Sequence, residues 1–229
     1  MSTLFHTYLY TPIFSVLIFF YQYVSFGDLG IAIIELTIAV RLILLPLFHK
    51  SAKDQTIMQR LQPHVKRIQT EHKDNKERQA KELMALYQEH RVNPFSGFLL
   101  LLIQIPIFIA LFQIFTTGIS GTEFATRGFL GFIDLADKNF VLVLLAAMLQ
   151  FFQSKMMFAK KSEPSARGEH KDPTASMQKI MMYIGPLLTL LILGNLPAAL
   201  GLYWLVSNVF SLVQQIYINK KIAIAEQST

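Results

Sequence analysis

The sequence contains no cysteine. Disulfides, thiolate metal sites, thiol nucleophiles and a lipid-modified cysteine are excluded together. Charge is also scarce, since Asp, Glu, Lys and Arg make up 16% of the 229 residues, against roughly 25% in a soluble domain. No Lys or Arg precedes Arg41. A secretory signal begins with a positive stretch and a transit peptide carries several Arg, so neither is expected here. The sequence has no His-x-x-x-His pair and no Gly-rich phosphate loop, so neither the ligand pair of a zinc peptidase nor a nucleotide cradle is expected.

What the chain has instead is apolar mass: 52% hydrophobic residues, 19 of all residues being Phe. Disordered segments are poor in such residues, which excludes that class. The apolar residues arrive in runs at 30–48, 95–115 and 139–158, with a double-length run at 177–218. Each single run is close to the ~20 residues that cross a bilayer as a helix. The last would make ~63 Å of helix, about twice the hydrocarbon thickness. Gly194-Asn195-Leu196-Pro197 is a turn signal near its middle, so it reads as two spans, 177–194 and 195–218.

The positive charges set the orientation. Segment 49–94 holds ten Lys and Arg, 154–180 holds six and 219–229 holds two, whereas 116–138 holds two and 1–30 none. Cytoplasmic loops carry the excess of Lys and Arg. The expected fold is therefore an all-α membrane protein with five transmembrane helices, the N-terminus outside and the C-terminus in the cytoplasm. Residues 49–94 then form a cytoplasmic helical hairpin, 116–138 an external loop, 159–176 a cytoplasmic loop and 219–229 a cytoplasmic tail. Ile57, Leu61, Val65 and Ile68 form one apolar stripe on the first hairpin helix, in which Pro63 predicts a kink. Ala80, Leu83, Leu86 and Tyr87 mark the second helix. Residues 1–29, rich in Phe and Tyr, read as an N-terminal interfacial helix on the outer surface, where amphipathic rings keep one end wet. A sixth span is the alternative for this segment.

Among candidate functional residues, Arg41 stands first, ~16 Å along the helix from Gly30. A charge at the centre of a span costs about 2.5–3.5 kcal/mol and usually faces a wet cavity or a partner, although a long side chain can also snorkel. Thr37, four residues earlier, shares its face. Glu35 points about 120° away, by 100° per residue. Trp204, Ser207 and Asn208 share one side of the last span; Gln150 lies on the third span and Gln104 on the second. Each alone is ordinary interhelical hydrogen bonding; with an Arg among them, they suit a hydrated groove. Gly118-Ile119-Ser120-Gly121 resembles the serine string of rhomboid-type intramembrane proteases. All six His lie outside the runs, so Ser120 lacks a base, and no enzyme, cofactor or metal site is expected.

Taken in order, these strings resemble the YidC/oxidase-assembly/Albino-type membrane protein insertases. They are the Gly30–Leu47 span with Arg41 and Pro46, Met58-Gln-Arg-Leu-Gln-Pro63, Asn93-Pro94 with Leu102-Ile-Gln104-Ile-Pro106, Phe129-Leu-Gly-Phe-Ile-Asp134-Leu135, and Leu196-Pro197 through Tyr203-Trp204 to Gln214-Gln215. Glu35 stands where the family usually has an apolar residue, and Gly201 falls two positions late. The stretch reads as a minimal core lacking the large external domain of some members. The resemblance implies a membrane protein insertase and chaperone in a bacterial-type inner or plasma membrane. It implies a positively charged groove open to cytoplasm and lipid, lined by Arg41, Thr37, Gln104, Gln150, Trp204, Ser207 and Asn208. Implied partners are nascent membrane proteins and the lipid bilayer, with the ribosome and a targeting receptor meeting the 50–92 hairpin; a Sec translocon is left open, and no DNA is involved. Without the resemblance the hairpin is a solvated positive loop. A small transporter or channel subunit and a structural assembly factor remain the alternatives.

Overall fold

The computed structural model describes residues 3–118, 124–158 and 173–227. The chain opens with α1 (Thr3–Phe5), one π-helical turn (His6–Tyr10) and α2 (Thr11–Tyr23). It continues through α3 (Leu29–Ile43), α4 (Leu45–Arg60), α5 (Gln62–Glu71), α6 (Lys76–Glu89) and α7 (Ser96–Gln113), which ends in a second π-helical turn, Ile114–Gly118. A two-residue antiparallel ladder follows, β1 (Gly128–Phe129) with β2 (Ile133–Asp134), pairing Gly128 with Asp134 and Phe129 with Ile133. The last elements are α8 (Phe140–Phe158), α9 (Pro173–Leu193) and α10 (Ala198–Gln227). The all-α expectation holds apart from that ladder.

Among the described residues, Thr3–Tyr23, Ser96–Gly118 and Ala198–Ile222 are long and apolar enough to cross a membrane. Helices α3 and α4 pass the same test only as a broken pair, and Phe140–Met156 and Met182–Leu193 are shorter apolar stretches. The first expected run, 30–48, is not one helix. It breaks at Leu44, whose backbone leaves helical geometry, and α4 starts with Pro46 in its first turn. Pro46 has no N–H to bond back to Leu42 and its ring would strike that carbonyl, so one helix stops and another starts just before it. Pro63 acts likewise. The chain does not bend around it within a helix as expected; it breaks at Leu61 and begins α5 with Pro63 in the first turn. The turn expected at 194–197 is present between α9 and α10, and Asn195 donates its side-chain amide to the Leu191 carbonyl at 3.2 Å. The expected cytoplasmic loop at 159–176 lies mostly outside the described residues, as does Ser120.

The described chain divides into two compact units. The first comprises Met1–Ile43 and Gln104–Val213. Within it α2 packs on α3 and α8 on α9. Leu17 and Tyr21 are buried on α2, and Leu29, Ala32, Ile33 and Leu36 on α3. Apolar burial gains little among lipid tails, so close packing by small residues takes over; Ala146, Ala147, Ala198 and Ala199 are buried accordingly. Gly201 does not leave a gap, because a Cβ there would make ordinary contacts of 3.5 and 3.6 Å with Val143 and Leu142. Gly30 is different: a Cβ there would overlap the Phe129 side chain, so β1 rests directly on the α3 backbone.

The segment 124–138 is tied down at several points. The Tyr21 hydroxyl accepts from the Thr126 amide at 2.9 Å, and Thr126 Oγ1 donates to the Gly27 carbonyl at 2.7 Å. Asp28 accepts from the Ile31 amide at 3.0 Å and from the Leu130 amide at 2.7 Å. The first amides of a helix have no partner within it; here Ala198 and Ala199 donate to the Asp137 and Leu135 carbonyls at 2.7 and 3.1 Å. Phe26 and Leu130 both take φ of 52°, a left-handed conformation that bulky side chains rarely adopt.

The second unit comprises Leu44–Ile103 and Gln214–Thr229. Its hairpin pairs α5 with α6. Of the expected stripe, Leu61, Val65 and Ile68 are buried, while Ile57, on α4 before the break, is half-buried. Asn75 caps α6, its side chain accepting from the Arg78 amide at 2.9 Å, as a short polar N-cap does. His72 Nε2 lies 2.7 Å from Glu82 Oε2, and Arg78 Nε donates to Glu82 Oε1 at 3.3 Å. Burial pushes the Glu82 carboxyl up, but the bonds from His72 and Arg78 outweigh it and hold the group below its ordinary value. Burial alone pushes the Tyr87 phenol up.

Candidate functional site

Arg41, Thr37, Gln104, Gln150, Trp204, Ser207 and Asn208 all belong to the first unit. Arg41 is 8% exposed and Thr37 1%, so the face they share on α3 is a protein-facing one. Thr37 is satisfied within its own helix, its hydroxyl donating to the Ile33 carbonyl at 2.6 Å. This is the usual fate of a mid-helix threonine. Arg41 buries a guanidinium on a mainly apolar helix, an expensive arrangement that stands only where other groups act on it. One such group is Tyr203, which lies within electrostatic reach.

Helix α10 presents two adjoining faces. Tyr203 and Ser207, four residues apart, share one; Trp204 and Asn208 share the next. On the first face, Gln104 of α7 donates its amide to the Tyr203 hydroxyl at 2.6 Å. That leaves the phenolic proton available to a further acceptor. Ser207 is 4% exposed, and its hydroxyl has no hydrogen-bond partner among the described residues. On the second face, Trp204 Nε1 donates to Gln150 Oε1 of α8 at 3.4 Å, and the Trp204 ring meets Phe108 edge-on at 5.9 Å. Gln150 Oε1 also accepts from the Thr189 hydroxyl of α9. Asn208 donates to the Ala146 carbonyl at 3.0 Å.

The structure thus brings together Gln150 with Trp204, and joins Gln104 to Tyr203 beside Arg41. Tyr203 and Thr189 are missing from the sequence-based set. Tyr203 had a signal, standing four residues before Ser207; Thr189 is a lone hydroxyl in an apolar run and had none. Glu35 does not need the candidate set for a partner, since the buried Ser25 hydroxyl donates to its Oε2 at 2.6 Å. No group of three or more His, Cys, Asp or Glu fit to hold a metal occurs among the described residues. Chemically, the arrangement offers a buried positive charge beside a phenol, with a spare hydroxyl one helical turn away. The amides around them are occupied in holding helices together.

Residues 19–226 match the 60Kd inner membrane protein family. The chain is 39% identical to the membrane protein insertase YidC of Geobacter metallireducens over 218 residues, covering 94% of this chain and 37% of the relative. It is 35% identical to the protein of that name from Fusobacterium nucleatum, covering 85% of this chain and 88% of the relative. A crystal structure of an active YidC insertase with its first transmembrane domain resolved is similar at a TM-score of 0.62 and 30% identity, covering 89% of this chain and 45% of that one. The chain spans little more than a third of the length of the Geobacter relatives. On the family match, the similar fold and the apolar helices, this chain belongs to the 60Kd inner membrane protein family, as an all-α protein of the bacterial inner membrane.

Proposed function

We propose that the chain is a membrane protein insertase and chaperone. It receives the polar outer segment of a nascent chain at a positively charged, hydrated intramembrane groove while the apolar segment passes into lipid. The observation that carries this reading is Arg41, 8% exposed within an apolar helix and within electrostatic reach of Tyr203 on α10. Water in such a groove lowers the cost of moving polar groups into the membrane, and a charge at low dielectric attracts an acidic segment more strongly than it would in water. Family membership supports the reading. The self-contained bonding of Gln104, Gln150 and Asn208 suits helix packing, so the electrostatic role rests on Arg41, with Tyr203 in electrostatic reach of it.

In the same reading the chain crosses the membrane five times, with the N-terminus outside and the C-terminus cytoplasmic. Residues 30–48, 95–115, 139–158, 177–194 and 195–218 are the spans, α3 with the first residues of α4 serving as the first. Residues 1–29 lie along the outer surface, although Thr3–Tyr23 also has the length and composition of a span. The basic hairpin faces the cytoplasm, where the ribosome and a targeting receptor meet it.

The test is protease-protected insertion of an acidic-tailed single-span protein into proteoliposomes holding only this chain. Arg41→Ala is expected to lower insertion of that substrate about tenfold, equal to about 1.4 kcal/mol, with Arg41→Lys retaining part of it. An uncharged-tail substrate is affected less. Equal losses for both substrates would remove the electrostatic role, and no insertion by the folded, correctly oriented chain would remove the self-sufficient insertase.

A further inference from the structure

Two turns from different parts of the first unit stand against one another, and each lifts an apolar side chain clear of the protein. Phe26, between α2 and α3, is 100% exposed; Phe132, at the tip between β1 and β2, is 92% exposed, with Leu130 beside it also exposed. These tips are not loose. Thr126 ties the second segment to the Gly27 carbonyl at 2.7 Å, Asp28 takes the Leu130 amide at 2.7 Å, and the Phe129 ring lies on Gly30. Both tips hold a bulky residue at φ of 52°, each followed by a glycine of positive φ: Gly27 at 78° after Phe26, and Gly131 at 74° after Leu130. A strained, anchored turn that shows a phenylalanine to water gains nothing from doing so.

The surroundings name the occupant. The exposed apolar side of α2, with Val16, Phe19 and Tyr23, runs straight into Phe26. The acidic groups at the tips are turned to backbone: Asp28 accepts from two amides, and Asp134 accepts from the Ala136 amide at 2.9 Å. The exposed charges flanking the ladder, Arg127, Asp137 and Lys138, are of mixed sign, so the exposed apolar side chains rather than charge point to lipid. We infer that Phe26, Leu130 and Phe132 form an apolar wedge that enters the bilayer leaflet at this end of the spans, below the level of the phosphates. It is continuous with the lipid-facing side of α2, and it anchors the connecting segment 124–138 in lipid rather than leaving it in solvent. The wedge requires the chain to lie in a membrane, and it stands whether or not the chain is an insertase.

The absence of cysteine makes the test direct, because single-cysteine variants need no background removed. Nitroxide labels at Phe26→Cys and, separately, at Phe132→Cys are placed in the full chain in vesicles of phosphatidylethanolamine and phosphatidylglycerol. Lys73→Cys, in the hairpin turn, is the aqueous reference. Accessibility to oxygen relative to a water-soluble nickel chelate is expected to be several-fold higher at both phenylalanine positions than at Lys73. Values matching Lys73 at positions 26 and 132 overturn the wedge in favour of solvent. Exclusion of both reagents overturns it in favour of a protein contact. Both side chains lie on the surface, so neither substitution opens a cavity, and each label leaves the other phenylalanine in place as an independent probe.

Discussion

The two units each pair most of their buried polar groups and leave different ones unpartnered: Ser207 in the first, Asp54 and Gln214 in the second, among the described residues. In the first, Gln150 takes hydrogen bonds from Thr189 and Trp204, Gln104 gives one to Tyr203, and Asn208 gives one to the Ala146 backbone. In the second, Gln215 donates to Thr56 at 2.8 Å and to Asn219 at 3.1 Å. Its neighbour Gln214 is buried with an unpartnered amide, and Asp54, 4% exposed, has a carboxylate oxygen with no hydrogen-bond partner among the described residues. Apolar helices without a watery alternative must match each polar group within the protein, or lose stability. Asp54 lies on α4, whose residues pass from apolar to charged along its length. The cost of the unpartnered group differs: a neutral hydroxyl in the first unit, Ser207, and a carboxylate oxygen in the second, Asp54.

The comparison breaks most visibly if close packing, not polar matching, governs the first unit. Gly30→Ala forces a methyl group into Phe129, and overpacking of this kind costs about 1–3 kcal/mol. A lowered thermal midpoint in detergent, partly restored by adding Phe129→Ala, is the expected outcome. Next come two substitutions of opposite sign. Asp54→Asn should stabilise the second unit by about 1–3 kcal/mol, the scale of a buried group left unmade. Gln150→Leu should destabilise the first by about 0.6 kcal/mol for each of two interhelical bonds. Chemical denaturation of both variants decides, and a shared sign would end the contrast.

The smallest effect sharpens the picture at the hairpin. Because the folded Glu82 carboxyl sits below its ordinary value, its contribution is complete above the unfolded pKa of about 4.3. It is lost as pH falls through the lower folded value. Glu82→Gln should therefore flatten the acid limb of hairpin unfolding followed by amide exchange. Salt should weaken the same contribution, as it does for exposed ion pairs.

Much of this architecture was legible in the residues. The apolar runs at 95–115, 139–158 and 177–218 overlap α7 to α10, whereas 30–48 is divided at Leu44; Gly194–Pro197 marks the turn before α10, and the spacing of Leu61, Val65 and Ile68 gives their buried face. Arg41 and Thr37 share one protein-facing side, as their spacing of four requires. Periodicity reports a face but not who stands opposite, so Thr189 and Tyr203 went unassigned as partners. Helix breaks at Leu44 and Leu61 were signalled by Pro46 and Pro63, yet whether a proline bends a helix or restarts one depends on packing. Asp54 lies in a segment that looks solvated, and only the fold puts it inside. The short ladder at 128–134 has too few residues for an alternation to be read.

The caps at the start of α10 carry a further consequence, for the order in which the chain is made. The carbonyls of Leu135 and Asp137 that receive Ala199 and Ala198 are synthesised well before them, with α8 and α9 in between. When α10 emerges, its first turn meets a template already in place, and the penalty of starting a helix is reduced at that end. The helix that carries Tyr203, Trp204 and Ser207 is therefore registered by a segment outside it. Lengthening or shortening the chain between Leu135 and Asp137 would shift that register, and with it every polar side chain that α10 presents.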